Sequence, residues 1–214
     1  MGMTEVNPGR VPLRQRQALE TRRAIARAAR ALFAERGFAA ASIDLVADEA
    51  GVAARTVYAI FGTKKAILAA ICEEWLIEAG VMEAVSQGLA ERDLRRRLAI
   101  VAHSSRRQWE SDRGVRAMLE GAAASDAEVA KMVAGWKSDR ARSLHSIVEG
   151  LESGLRVGID SNRAAAIIRA MTSAEVYSEL VAGEGWTPAE YEAWLAGVLV
   201  EVLLPPTSKS DVSA

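Results

Sequence analysis

Apolar positions along the chain recur at intervals of three and four residues, and few runs alternate in polarity as a half-buried strand would. From about residue 14 to 36, Leu19, Ile25, Ala28, Ala29, Leu32 and Phe33 keep helical spacing, and Gly37 stands where a C-capping glycine belongs. Ser42, whose hydroxyl can cap free backbone N–H groups, opens a shorter pattern through Ile43, Val46, Ala47 and Ala50. Gly51 supplies a turn. A second short pattern then places Val52, Val57, Ile60 and Phe61 on one side and Ala54, Arg55, Thr56, Tyr58 and Ala59 on the other. Gly62 ends it, and Thr63 can cap a helix that runs to about residue 85, with Gln87 and Gly88 as its break. Further helices are predicted over residues 91–111, 113–124, 126–157, 161–182 and 188–203. Asp126 and Asp160 stand at N-cap positions, and Pro188 lies in a first turn, where its missing N–H costs nothing. Gly150, Gly154 and Gly158 then share one helical face, with Gly158 as the terminator. The expected fold class is all-α, with about nine helices.

The two short patterns joined at Gly51 form a helix-turn-helix, and the side bearing Ala54, Arg55, Thr56, Tyr58 and Ala59 fits the major groove of double-stranded DNA. The order and spacing resemble the TetR family. The first helix reads TRRAIARAARALFAERGF, the helix-turn-helix pair ASIDLVADEAGVAARTVYAIF, and the next helix GTKKAILAAI, so the resemblance covers roughly residues 17–79. It implies an N-terminal three-helix DNA-binding unit and a lysine at the start of the following helix, Lys64 here, in contact with phosphate. Arg55 is the expected base reader, since a guanidinium can grip guanine O6 and N7; Ser42 and Lys64 are expected phosphate anchors, and Thr56 and Tyr58 hold phosphate or pack beside the arginine. Lys65 and Arg23 are further phosphate candidates. Three positions depart from the family pattern. Ala53 replaces the common Ser or Thr cap of the second short helix, Arg55 stands where a small residue is common, and Ile60 stands where Tyr or His often precedes the last Phe. Operator sequence is therefore not carried over.

Charge supports the nucleic-acid reading. The formal net charge is −1, yet residues 1–70 hold 11 Lys and Arg against 6 Asp and Glu, while the remainder holds 16 against 22. A basic N-terminal third on an acidic body is the footprint of a phosphate-binding module. The domain reading is a disordered tail over 1–13, a helix-turn-helix domain over 14–62, a helical effector-binding and dimerisation domain over 63–204, and a second disordered tail over 205–214. Arg10, Arg14 and Arg16 could make the first tail a basic arm along phosphate or the minor groove; the alternative is a solvated tail.

In the helical body, Ile167, Ile168, Met171, Ala174 and Leu180 form one broad apolar stripe, and Tyr191, Trp194, Leu195, Val198, Leu199, Val202 and Leu203 form another. Periodicity allows either an intramolecular core or an interface. The resemblance implies a homodimer through these last two long helices, and two half-site readers about 34–36 Å apart suit a palindrome. It also implies a cavity for a small-molecule effector between the DNA-binding unit and these helices, for which His103, Trp109, Met118, Trp136, Arg140 and Tyr177 are the candidate lining, Arg140 suiting an anion. Core packing is the ordinary use of each.

No cofactor, metal or catalytic site is expected. His103 and His145 form no metal cluster, and the chain lacks HExxH, a P-loop, GxSxG and a cysteine pair. Cys72 lies on an apolar helical stretch, as a buried structural thiol would. No run reaches the roughly 18 apolar residues of a membrane span, and the N-terminus lacks a secretory apolar region, so a cytoplasmic location is expected. The function read from the residues and the resemblance together is a ligand-responsive transcriptional regulator, a repressor. Two alternatives stay open: an adaptor that keeps the helix-turn-helix as a scaffold for protein binding, and an unrecognised helical enzyme.

Overall fold

The computed structural model describes residues 12–112 and 114–206. The two expected tails, with Arg10, lie outside the described residues except for positions 12–13 and 205–206. Among the described residues the chain is helical throughout: α1 Leu13–Arg36, α2 Ile43–Glu49, α3 Ala54–Phe61, α4 Lys64–Glu78, α5 Val81–Ala90, α6 Leu94–Glu110, α7 Val115–Ser125, α8 Ala127–Val148, α9 Ser161–Met171, α10 Ala174–Tyr177 and α11 Pro188–Leu203. A 3-10 turn occupies Glu152–Gly154, and a π-helical stretch, Ser178–Gly183, prolongs α10. No described helix is long and apolar enough to cross a membrane.

Packing divides the chain into two compact units. Of the described residues, the first comprises 12–72 and 114–127, the second 73–112 and 128–206. The division falls inside α4, whereas the sequence reading sets a boundary at Gly62; α7, distant in sequence, packs with α1 in the first unit. In that unit Ile25, Ala29 and Phe33 of α1, Val46 and Ala47 of α2, Val57 of α3 and Ile67 and Leu68 of α4 are buried. Phe33 and Phe38 meet edge to face at 5.2 Å, closing the base of the helix-turn-helix. In the second unit Leu98 and Ala102 of α6, Ile147 and Val148 of α8, Ile168 of α9 and Tyr191, Leu195, Leu199 and Leu203 of α11 form the core.

Four features of the helix boundaries differ from the periodicity. The helix beginning at Lys64 ends at Glu78 because Gly80 adopts φ +69°, and the Arg107 guanidinium covers the freed Glu78 carbonyl at 3.1 Å. Gly88 is no break; it is buried within α5, where a Cβ would stand 2.7 Å from Ile147 Cδ1, so its lack of a side chain lets the helix approach α8. The helix expected to reach residue 157 stops at Val148. Gly150, at φ +77°, turns the chain, so the three spaced glycines do not share a helix face. The stretch expected as one helix over 161–182 is interrupted at Thr172, after which Ser173 caps α10 through its bond from the Val176 N–H.

Candidate nucleic-acid interface

The short helices are set by local chemistry. Ser42 Oγ accepts the Leu45 N–H at 3.2 Å and so caps α2, while its own O–H remains available as a donor. At the other end of α2 the Val52 N–H reaches the Ala47 carbonyl at 3.0 Å and the Gly51 N–H that of Asp48 at 3.1 Å. This is the Schellman pair, and it needs the left-handed φ of +66° that Gly51 adopts without a Cβ penalty. Ala53 precedes α3 with no side-chain cap, so the loss read from the sequence is real in the structure. α3 ends where the Thr63 N–H donates to the Phe61 carbonyl at 2.8 Å across Gly62 at φ +69°, a γ-turn geometry that favours glycine. Thr63 Oγ1 then accepts the Ala66 N–H at 3.1 Å, capping α4.

Burial of Val57 and Phe61 orients α3. Opposite them Arg55 and Ala59 are exposed, Tyr58 is 53% exposed, and Ala54 and Thr56 are half-buried at the flanks. The structure thus brings the five expected residues of this helix onto or beside one outer surface. Lys64 lies elsewhere in the hydrogen-bond network. Its ammonium donates to the carbonyls of Phe38, Ala39 (3.2 Å) and Ala41 (2.9 Å), and stands 4.4 Å from the centre of the Phe38 ring. Burial lowers its pKa, against an opposing pull from Asp126. All three N–H bonds of Lys64 therefore serve the loop that delivers Ser42 to α2. Lys65 and Arg23, the weaker phosphate candidates, are half-buried and exposed respectively.

Arg22 was missed by the sequence reading: its guanidinium lies 4.7 Å over the Phe61 ring and ties α1 to the end of α3. The signal was present, since positions 22, 26, 29 and 33 share one helical face of which the last three are buried.

The residues expected to line an effector cavity are dispersed. Met118 is buried on α7 in the first unit, and the other five belong to the second. His103 is exposed and its Nδ1 meets a Glu192 carboxylate oxygen at 3.0 Å. Trp109 Nε1 donates to the Thr172 carbonyl at 3.0 Å, and Arg140 Nη2 donates to the same carbonyl and to Thr172 Oγ1, each at 2.9 Å. Tyr177 stands edge-on to Tyr191 at 4.9 Å, and Trp136 is half-buried on α8. A recess of about 480 Å³ between α8 and α9 is lined by Arg142, His145, Glu149, Asn162 and Arg169 among others, and by none of the six. Cys72 is buried, and burial pushes its thiol up to about 11, as an unreactive structural cysteine requires.

Residues 25–71 match the family model described as bacterial regulatory proteins, tetR family. NalD of Pseudomonas aeruginosa, the secondary repressor of the MexAB-OprM multidrug efflux pump, superposes with a TM-score of 0.69 at 18% identity, over 87% of this chain and 98% of that one. SmeT in complex with triclosan gives 0.71 at 21% identity, over 88% and 93%. FadR of Bacillus subtilis in complex with stearoyl-CoA gives 0.64 at 22% identity, over 83% and 97%. No curated protein matches the chain in sequence. At such identities structural likeness establishes the fold, while the family model matches the helix-turn-helix unit itself. Residues 25–71 therefore match the DNA-binding region of the tetR-family model, and the fold of the chain is similar to that of NalD and SmeT.

Proposed function

We propose that this protein is a cytoplasmic, ligand-responsive transcriptional repressor that binds a palindromic operator as a homodimer. The observation that carries this reading is the outer surface of α3. Arg55, Tyr58 and Ala59 project from a helix whose other side, Val57 and Phe61, is buried, and whose two ends are set by Gly51 and Gly62. A helix so presented enters a major groove, with Arg55 reading guanine, Ala54 and Ala59 allowing close approach, and Ser42, Thr56, Tyr58 and Lys64 on the phosphate side. Lys64 makes its contact by exchanging one loop carbonyl for a phosphate oxygen.

The dimer reading is supported by α9 to α11. Tyr191, Leu195, Leu199 and Leu203 are fully buried, but Trp194, Val198 and Val202, one row around the same helix, remain partly exposed, as do Ile167, Met171 and Leu180. That second apolar row has the spacing to pair with its twin. A small-molecule effector is proposed from the ligand-bound state of two relatives, SmeT with triclosan and FadR with stearoyl-CoA. The test is selection of bound fragments from random duplex DNA. A palindrome with half-sites about one helical turn apart is expected, and a pool that enriches for nothing overturns the proposal.

A further inference from the structure

Within the second unit α8 and α9 run antiparallel, since Arg140, past the middle of α8, bonds to Thr172 at the end of α9. Ile147 and Val148 of α8 meet Ala164 and Ile168 of α9 in the core. Beside that contact lies the recess of about 480 Å³. Packed helices ordinarily close such a gap with large side chains. Here the apolar residues among the described lining are Ala141 and Ala165, so the floor stays open because its side chains are small. The volume is that of a small-molecule site.

The walls are polar, and the two ends differ in charge. The antiparallel run sets Arg142 of α8 and Arg169 of α9 at one end, and Glu149 of α8 and Asn162 of α9 at the other, about 10 Å further along each helix. Arg142 is answered by Asp139 on its own helix, but Arg169 makes no hydrogen bond or ion pair among the described residues. Arg169 also lies near enough to Arg140 to oppose its charge, which leaves this end with surplus positive charge. Glu149 forms no ion pair with either arginine, so the ends stay chemically distinct. The His145 ring lies between them, and neither it nor the Asn162 carboxamide has a hydrogen-bond partner among the described residues.

We propose that this recess is the effector site and takes a hydroxylated phosphate monoester of sugar-phosphate size, its phosphate on Arg169 with His145 alongside, and its hydroxyls on Glu149 and Asn162. This deepens the ligand-responsive reading above and rests on it for its consequence. Inorganic phosphate alone offers nothing to Glu149, and a neutral sugar leaves Arg169 unanswered. A ligand spanning the recess ties α9, which carries Ile167 and Met171 of the proposed dimer row, to α8.

The experiment uses the full chain with glucose 6-phosphate and ribose 5-phosphate, and with glucose, ribose and inorganic phosphate as their parts. Binding is read by titration calorimetry and by the rise in Tm that a native-state ligand produces. At least one ester is expected to bind ten-fold or more tightly than its sugar and than inorganic phosphate. Binding of neither ester, or equal binding of either part, overturns the proposal without needing any variant. Arg169 is exposed and unbonded, so Arg169→Gln is expected to keep the parent's Tm and to lose ten-fold or more in ester affinity. Lys137→Gln removes the same charge from α8 outside the recess and is expected to stay within two-fold of the parent. Ala141→Leu leaves every charge in place but fills the floor, and is expected to abolish binding. Ester affinity unchanged in both Arg169→Gln and Ala141→Leu, or lowered as much by Lys137→Gln as by Arg169→Gln, also overturns the site. Affinity for the selected duplex, measured with and without the ester, separates the failures. Duplex binding that saturating ester leaves unchanged defeats the effector assignment alone, and loss of duplex binding by the parent protein without ester defeats the regulator reading.

Discussion

At the scale of single residues, the reading of α3 depends on Arg55 being outside and on two glycines being in conformations that other residues resist. Arg55→Ala is expected to cost about 1–3 kcal/mol of operator affinity and to relax base preference at one position, as a gel-shift series over operator variants would show. Gly51→Ala introduces no clash, since nothing lies within 4 Å of the added carbon. Its expected cost of about 1–2 kcal/mol is the left-handed backbone penalty alone, measurable by denaturant unfolding. Lys64→Ala removes three charge-assisted bonds to the loop before Ser42, of which the one to Ala39 is exposed and is replaced by water. A stability loss of about 1 kcal/mol is expected without DNA. A salt slope of DNA binding reduced by about one unit would show that the ammonium also turns to phosphate in the complex.

Among the elements, α11 is anchored at its first two turns by carboxylates. Glu190 completes a capping box with Thr187, whose backbone and side-chain hydrogen bonds hold its carboxyl below the ordinary value of 4.5. Burial pushes Glu192 upward, but hydrogen bonds and charge from His103 and Arg106 on α6 outweigh it and the carboxyl ends below 4.5. Both groups are depressed in the folded chain, so their contribution is complete above about pH 4.5 and is lost as pH falls through the lowered values. Acid unfolding of Glu192→Gln should accordingly be less steep below pH 4.5 than that of the parent protein. In α8, Gly135 is exposed within the helix with nothing within 4 Å of an added Cβ. Gly135→Ala should therefore raise stability by about 0.5–1 kcal/mol, the opposite sign from Gly51→Ala.

For the whole molecule, the partly exposed row on α11 predicts assembly. Val198→Glu, which leaves the buried Leu195 and Leu199 in place, is expected to yield the 22.9 kDa chain as a monomer by light scattering. It should also weaken operator binding severely, because a lone helix-turn-helix reads only one half-site. A Val198→Glu protein that stays dimeric would move the interface elsewhere.

Periodicity, capping residues and glycine placement by themselves determined the all-α class, the helix-turn-helix, its capping by Ser42 and Thr63, and the outward Arg55. Each of these depends on neighbours within a few residues, so the spacing of apolar and polar positions states it directly. Tertiary structure decided what depends on partners far along the chain. Lys64 bonds to carbonyls 23 to 26 positions away, Arg140 to Thr172 32 positions away, and Gly88 is packed beneath Ile147. The helix ends at Gly80 and Gly150 belong with these, because any of several glycines could have served, and only the folded chain shows which one turns left-handed.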